Sequence, residues 1–309
     1  MANLDVLIWQ EAWENKLAQR LNKSQNWKEV CDVRYTDTKV LNLPYISSSN
    51  EPAVSTTFFT AAADRTDVSK VIPFIGATMA NESLNIISTT LDSVYMDYAD
   101  QAQSQYVDWA GFGDLLGKKL NERIEAVVLG NGANWTNFGD TGGGILGLSA
   151  TPITVTSTNI ASIVRGIIEQ IIAANGYELY KQNGGFVVWR PNDWTLLTQY
   201  MQANGFYQAD QALKNGGGDA GGVELVGVPY MGLFHYVSTL GTSGSVMAGV
   251  RGTQVLGILK TTYGKTFRAE MPASSSQGSL SGTQIHSRVD YGMLVQTNKK
   301  PVIFNVEVV

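Results

Sequence analysis

The chain has 309 residues, of which 44% are hydrophobic and 16% charged, with a net charge of −5. This is material for one large domain or two to three small ones, with fewer charges than the usual ~25%, and the acidic balance lacks the basic footprint of a protein that grips DNA. A single cysteine, Cys31, excludes an internal disulfide and a cysteine-based zinc site. Residues 1–10 lack the basic and apolar regions of a signal peptide, and no apolar run is long enough to cross a membrane as a helix. The 32 glycines, with frequent Ser, Thr and Asn, mark many turns and so considerable β structure.

Residues 4–22 read as a helix. Leu4, Leu7, Ile8, Leu17 and Leu21 recur at helical spacing, and Trp9 and Trp13 form an i,i+4 pair. Such a helix either docks on its own core or, with two tryptophans near a terminus, is an arm that docks elsewhere; the spacing favours neither. At residues 29–48 the period becomes two, in Leu41, Leu43 and Tyr45, which predicts an extended strand. Residues 48–66 read as a loop or hairpin tip, 68–75 extend again with Pro73 marking an edge or an end, and 84–98 are β-prone. The whole of 29–99 is thus a β-rich excursion, too thinly apolar to fold alone, and is expected to project from the body as a hairpin-like loop.

A helix follows over about 108–129, expected to be the longest in the chain. Leu116, Leu120, Ile124 and Val128 form its stripe, Leu115 and Val127 widen it, and Lys118, Lys119, Glu122, Arg123 and Glu125 cover the other side. Gly117 weakens its early part, and it stops at Gly130-Asn131-Gly132, before a glycine-rich loop to about residue 156. Residues 158–175 predict a second helix packed near the first. Ile160, Ile163, Val164, Ile167, Ile168, Ile171 and Ile172 are its face, Ser157 or Thr158 its cap and Gly176 its close. A short strand at 186–189 precedes a helix opened by Pro191 and carrying Trp194, Leu197 and Tyr200. After a glycine-rich loop at 216–222, strands are expected at 223–228, 233–238, 246–250, 255–259, 284–296 and 301–309. No fixed-period repeat is present.

Chemistry-bearing patterns are sparse. Gly142-x-Gly144-x-x-Gly147 has the spacing of a dinucleotide fingerprint, but neither a strand before it nor a helix after it. His235 and His286 are far apart and belong to no spaced ligand set, so each reads as structural. No Gly-x-Ser-x-Gly elbow occurs. Cys31 reads as a small buried apolar residue rather than a nucleophile, and Asp92, Asp97, Asp100 and Asp108 as solvated acidic surface rather than a cation site. The sequon at Asn134 carries no weight without a secretory signal. No catalytic, cofactor or metal site is expected, and the chain does not read as an enzyme.

The order of elements carries a resemblance. A helical arm, a long β excursion, a long helix, a second helix before a compact α/β lobe, and closing strands follow one another along the whole chain. Locally, Val94-Tyr95-Met96-Asp97-Tyr98, then 120–130 (Leu-Asn-Glu-Arg-Ile-Glu-Ala-Val-Val-Leu-Gly), then 222–229 (Gly-Val-Glu-Leu-Val-Gly-Val-Pro), and Tyr291-Gly292 followed by Lys300-Pro301-Val302 carry it. In these features the chain resembles the major capsid proteins of tailed bacteriophages, which share the Hong Kong 97 phage fold. The resemblance implies an α+β subunit in four parts: an N-terminal arm (1–28), an extended β loop (29–99), a peripheral domain with its spine helix (100–184 with 286–309) and an axial domain (185–285). It implies hexamers and pentamers of this chain in an icosahedral shell around packaged double-stranded DNA, in a virion assembled in the host cytoplasm. Trp9, Trp13, Arg34, Lys39, Arg65 and Lys70 are the subunit-interface residues expected. Portal and decoration proteins are further partners, contact with DNA is weak and non-specific, and no membrane or cofactor is involved. Because the first element begins by Leu4, no fused scaffolding segment is expected, and a separate scaffolding protein is. Some relatives crosslink a Lys to an Asn; nothing in this sequence selects such a pair. An encapsulin-like compartment, another virion component such as a tail-tube subunit, and a hydrolase on a β-rich scaffold are the competing readings.

Overall fold

The computed structural model describes residues 14–21, 26–46, 79–97, 109–130, 152–204, 228–241, 244–271 and 282–309. The predicted hairpin tip at 48–66, the strand at 68–75, the glycine pattern at 142–147 and the loop at 216–222 lie outside them, as do Trp9, Trp13, Arg65 and Lys70.

Residues 14–21 (α1) are helical, and Leu17 and Leu21 are fully buried. The helix is pinned along its length. The Glu14 carboxylate accepts from Thr266 Oγ1 at 2.9 Å, Asn121 Nδ2 donates to the Arg20 carbonyl at 3.1 Å, and the Tyr263 hydroxyl donates to the Leu21 carbonyl at 2.9 Å. Of the two readings of this segment, residues 14–21 therefore follow the first: they dock on the chain's own core. The short helix α2 (Asn26–Val30) comes next, with Trp27 buried, and leads into β1 (Asp32–Thr36).

The long helix α3 (Trp109–Gly130) has 22 residues, the most of any described helix. Leu116, Leu120, Ile124 and Val128 are all buried, as their four-residue spacing demands. Lys118 and Lys119 pair with Glu122 on the exposed side, at 3.8 and 3.2 Å. Two residues depart from expectation: Leu115 is exposed rather than on the stripe, and Glu125 is buried rather than on the charged side. Gly117 does more than weaken the helix. A Cβ there would lie 2.9 Å from Arg20 Cβ, so the glycine lets α1 cross close to α3.

The isoleucine-rich helix α4 (Ile160–Ala173) buries Ile160, Ile163, Val164, Ile167 and Ile171, and leaves Ile172 exposed. Its N-cap is Asn159, not Ser157 or Thr158, and the Asn159 side chain instead accepts from the Thr156 amide at 2.8 Å. At the other end Asn175 takes the left-handed conformation (φ 56) expected of Gly176. The Asn175 amide donates to the Ile172 carbonyl and the Gly176 amide to the Ile171 carbonyl, the two bonds of a Schellman ending. Gly176 is needed for another reason: a Cβ there would meet Val302 at 2.4 Å. After α5 (Tyr177–Asn183), which the sequence did not signal, come β5 (Gly185–Trp189) and α6 (Pro191–Ala203), with Pro191 in the first turn as expected.

Two five-stranded sheets organise these elements. Sheet 2 has the order β12-β8-β5-β7-β6, from β6 (Val228–Tyr230), β7 (Leu233–Val237), β8 (Ser245–Val250) and β12 (Ile303–Glu307) around β5. His235 lies toward Trp194 of α6, ring centroids 6.4 Å apart, while Phe234 faces the other way, under the Arg251 guanidinium at 4.5 Å. Helices thus lie on both sides: α4 and α6 on one, α2 on the other, running from Val237 to Arg251. Sheet 1 has the order β1-β9-β11-β10, with β9 (Gln254–Leu259), β10 (Thr266–Met271) and the 14-residue β11 (Gly282–Val295), and β4 (Ser88–Asp97) paired along β11. A 3₁₀ turn (Thr297–Val302) carries the chain from β11 into β12, so β11 and β12 belong to different sheets. One core cluster runs beneath both sheets; a second and smaller one, of Leu43, Leu84, Ile86, Val255 and Leu259, lies on the far face of sheet 1.

The excursion predicted for 29–99 is narrower at its base than its sequence suggested. β1 pairs in parallel with β9 and β4 antiparallel with β11, so both flanks belong to sheet 1. Between them β2 (Val40–Ile46) and β3 (Met79–Asn85) form the antiparallel hairpin, from Val40 opposite Asn85 to Ile46 opposite Met79.

Candidate functional site

The outer face of sheet 1 and the hairpin lying on it form the candidate site. Opposite residues of paired strands point to the same side of a sheet, and successive residues to opposite sides. Along β11, Ile285, Ser287, Val289 and Tyr291 face the core and are buried, so Gln284, His286, Arg288, Asp290 and Gly292 face outward. At the Gly292 end this outer face is covered by the hairpin; at the Gln284 end it is exposed.

The covered end depends on two glycines. Gly257 of β9 and Gly292 of β11 stand directly opposite one another. A Cβ on Gly292 would lie 2.2 Å from the Asn85 carbonyl oxygen, and one on Gly257 would lie 2.8 Å from Leu84 Cδ2. Only a rung without side chains lets the hairpin base cross this closely. Leu41, Leu43, Tyr45 and Leu84 alternate toward the sheet, which is the period of two seen in the sequence, and Leu43 and Leu84 are buried. Glu82 fastens the hairpin to the chain beyond β11: it accepts from the Tyr45 hydroxyl at 2.9 Å and from the Thr297 amide at 3.2 Å. Partial burial alone would raise its pKa, but the bonds from Thr297 and Tyr45 outweigh that and hold the carboxyl below its ordinary range. Gln296 Nε2 donates to the Leu43 carbonyl at 3.3 Å. The hairpin's outward side is polar, with Ser83 Oγ donating to Asn42 Oδ1 at 2.9 Å.

The exposed end presents apolar groups. Leu91 stands opposite Arg288, Tyr95 opposite Gln284, and Ser93 opposite His286, which stands opposite Phe267 in turn. Leu91 is 44% and Phe267 37% exposed, and the Phe267 and His286 rings stack at 5.2 Å. Ile87, at the bend between β3 and β4, is 85% exposed. Between the two ends Asp290 accepts from Thr89 Oγ1 and from Arg288 Nη2, each at 2.6 Å. Burial would raise its pKa; these bonds and the Arg288 charge more than offset that and lower it.

Of the interface residues expected, Arg34 and Lys39 are the two among the described residues, Arg34 on β1 and Lys39 just before β2. Arg34 is exposed on β1 and pairs with Asp32 at 2.9 Å, and the carbonyl of exposed Lys39 accepts from the Ile86 amide at 2.8 Å. Sequence reasoning did not find the apolar end with Leu91 and Phe267. Leu91, Ser93 and Tyr95 do alternate in the sequence, but β10 was not foreseen, and without it no continuous face exists.

The residues weighed for chemistry occupy structural places. Cys31 is buried, and burial, with the nearby Asp32 charge, pushes its thiol pKa far up, so no thiolate is available. His235 is fully buried and accepts at Nδ1 from Trp189 Nε1 at 2.8 Å. Asp92 and Asp97 lie on β4, while Asp100 and Asp108 fall outside the described residues. Among the described residues no cluster of three or more His, Cys, Asp or Glu could hold a metal ion, and no helix is long and apolar enough to cross a membrane. A recess lined by Leu129, Val188, Trp189, Ser238 and Met247 has room for about one water molecule, far less than a substrate needs.

No family model and no curated protein matches this sequence. Solved structures match over nearly its whole length. The capsid of the cyanophage P-SCSP1u superposes with a TM-score of 0.58 at 13% identity, covering 93% of this chain and 89% of that one. The capsid of Ralstonia phage GP4 gives 0.55 at 10%, covering 93% and 89%. A virus-like particle from Pyrococcus furiosus gives 0.58 at 10%, covering 96% and 98%. The α+β fold is the Hong Kong 97 phage-type capsid fold that the order of elements resembles.

Proposed function

We propose that this chain is a shell subunit, the major capsid protein of a tailed bacteriophage, which assembles with copies of itself into an icosahedral capsid around double-stranded DNA. The observation that carries this reading is the match to phage capsid structures across 93% of the chain. The physics supports it. A hairpin bearing a polar outer side, beside an exposed apolar sheet face, suits many modest contacts that add up through closed symmetry. The four-part division (1–28, 29–99, 100–184 with 286–309, and 185–285) belongs to this proposal, as do contacts between subunits through Arg34 and Lys39 at the hairpin root and through Trp9, Trp13, Arg65 and Lys70. So do hexamers and pentamers, a separate scaffolding protein, portal and decoration proteins, weak non-specific contact with DNA, and assembly in the host cytoplasm. The reading gives the chain no catalytic role.

A second reading, a compartment shell enclosing protein cargo, is favoured by one observation: the match to the Pyrococcus furiosus virus-like particle covers 98% of that chain. The test is to express the chain alone and with its flanking genes, image the particles, and extract nuclease-protected nucleic acid. Uniform shells that form only with the flanking genes and protect double-stranded DNA are expected. Uniform shells from the chain alone, filled with protein and free of DNA, would establish the compartment instead. A protein that never forms particles would overturn both readings.

A further inference from the structure

Three segments distant in the chain meet at Glu125. This carboxylate lies on α3, is only 7% exposed, and takes part in no ion pair among the described residues. The other two buried carboxylates among the described residues have arginines: Asp193 has Arg190 at 2.7 Å and Asp290 has Arg288 at 2.6 Å. Glu125 has two neutral donors. Its Oε1 accepts from Ser238 Oγ at 2.6 Å and from Asn26 Nδ2 at 3.0 Å. Asn26 Nδ2 spends its second hydrogen on the Val237 carbonyl at 2.9 Å. Ser238 in turn is held by its own amide, which donates to the Trp189 carbonyl at 3.1 Å. One carboxyl oxygen therefore joins the start of α2, the middle of α3 and the ends of β5 and β7.

The charged groups around this junction are committed elsewhere. On α3, Glu122 pairs with Lys118 and Lys119 and adds only repulsion. On α2, Lys28 lies over the Trp27 ring at 5.2 Å and donates to the Leu21 carbonyl, and Glu29 pairs with Arg251 at 2.8 Å. At the end of β5, Arg190 is held by Asp193, and on β7 His235 accepts from Trp189. A buried carboxylate with neutral donors alone is poorly compensated, whereas a neutral carboxyl keeps both accepted bonds in weaker form and loses the cost of the buried charge.

We propose that Glu125, Asn26 and Ser238 form a protonation-sensitive clasp that joins the start of α2 to α3 and sheet 2, and that the folded junction is more stable with the carboxyl neutral than with it ionised, because burial of the uncompensated charge costs more than the stronger bonds to the ionised form offset. The other end of α2 is fixed independently, by Arg251 on Glu29 and by the Gly252 amide on the Val30 carbonyl at 2.8 Å. The clasp thus governs one end of the element that feeds β1 and the hairpin root. Burial raises the Glu125 pKa, against the lowering by Ser238 and Asn26. For a raised acid, the stability contributed is full below the unfolded value and is lost as pH rises through the folded one. Acidification therefore strengthens this junction while it weakens the anchors at Glu82 and Asp290, whose pKa values are lowered.

The test uses the full chain and Glu125→Gln, which keeps an acceptor oxygen for both donors. Melting is followed at pH 8 and pH 5.5, together with hydrogen exchange of residues 26–30 at pH 8. Glu125→Gln should melt higher than the parent at pH 8, by about 2–4 °C, with a smaller gap at pH 5.5 and slower exchange in α2. Ser238→Ala, which removes a bond that favours the charged form, should melt lower than the parent by more at pH 8 than at pH 5.5. A Gln variant equal to or below the parent at pH 8, or a gap that does not depend on pH, overturns the clasp. Higher melting with unchanged α2 exchange overturns its hold on α2.

Discussion

Every residue of β5 is buried, whereas among the described side chains of β2 only Leu43 is, between neighbours that alternate between partly covered and exposed. The two strands represent their sheets. Sheet 2 has helices on both sides, and its strands read as short, nearly continuous apolar runs. Sheet 1 rests one face on the same core and turns the other outward, half under a polar-backed hairpin and half exposed at Leu91 and Phe267. The difference is one of cover: sheet 2 is enclosed by helices, whereas sheet 1, backed by α3, turns one face outward.

Substitutions can break or sharpen that division. The largest effect is expected from Ile167→Asp, which puts an unpaired charge where Ile167 is now fully buried beneath sheet 2. A cost of several kcal/mol against a total stability of about 5–15 kcal/mol should leave no soluble folded protein, judged by yield and circular dichroism. Ile168, only partly buried, should tolerate the same change better. Next comes Leu17→Ala, expected to cost about 2–5 kcal/mol in denaturant unfolding, because α1 is part of the core; a loss confined to particle formation would return α1 to the role of a detachable arm. Gly292→Ala drives a methyl into the Asn85 carbonyl and should cost about 1–3 kcal/mol. Hydrogen exchange should show protection lost in β2 and β3 and kept in β5, and a uniform loss across both sheets would erase the distinction between them. The smallest effect on stability, within about 0.5 kcal/mol, is expected for Leu91→Ser combined with Phe267→Ser. Under the shell reading this pair should nonetheless cut particle yield severely, and normal particles would remove the exposed face from the list of contacts.

The parts legible in the sequence are those where local pattern and burial agree. The isoleucine face of α4, the stripe of α3, Pro191 opening α6 and the period of two in Leu41, Leu43 and Tyr45 all depend on near neighbours. What escaped depends on distant ones. Glu125 has the spacing of a solvated charge and is buried only because Asn26 and Ser238 converge on it. Asn175 takes the left-handed position, and Gly176 is needed because Val302 would meet any Cβ there, a contact made across more than a hundred residues. Arg34 and Lys39 were expected at a subunit interface from the sequence, whereas the apolar face exists only through the pairing of β4, β11 and β10.

The pairing of β1 with β9 has a consequence for synthesis. Asp32 meets Val255 and Ser88 meets Tyr291, so both flanks of the hairpin wait for partners made some two hundred residues later. At about 5–20 residues per second, that delay is roughly 10–40 s. During it β2 and β3 can pair with each other, but β1 and β4 remain without ladders. The glycine rung that seats the hairpin lies on those same later strands, β9 and β11. A chain built this way cannot present its finished outer face until β9 and β11 have left the ribosome.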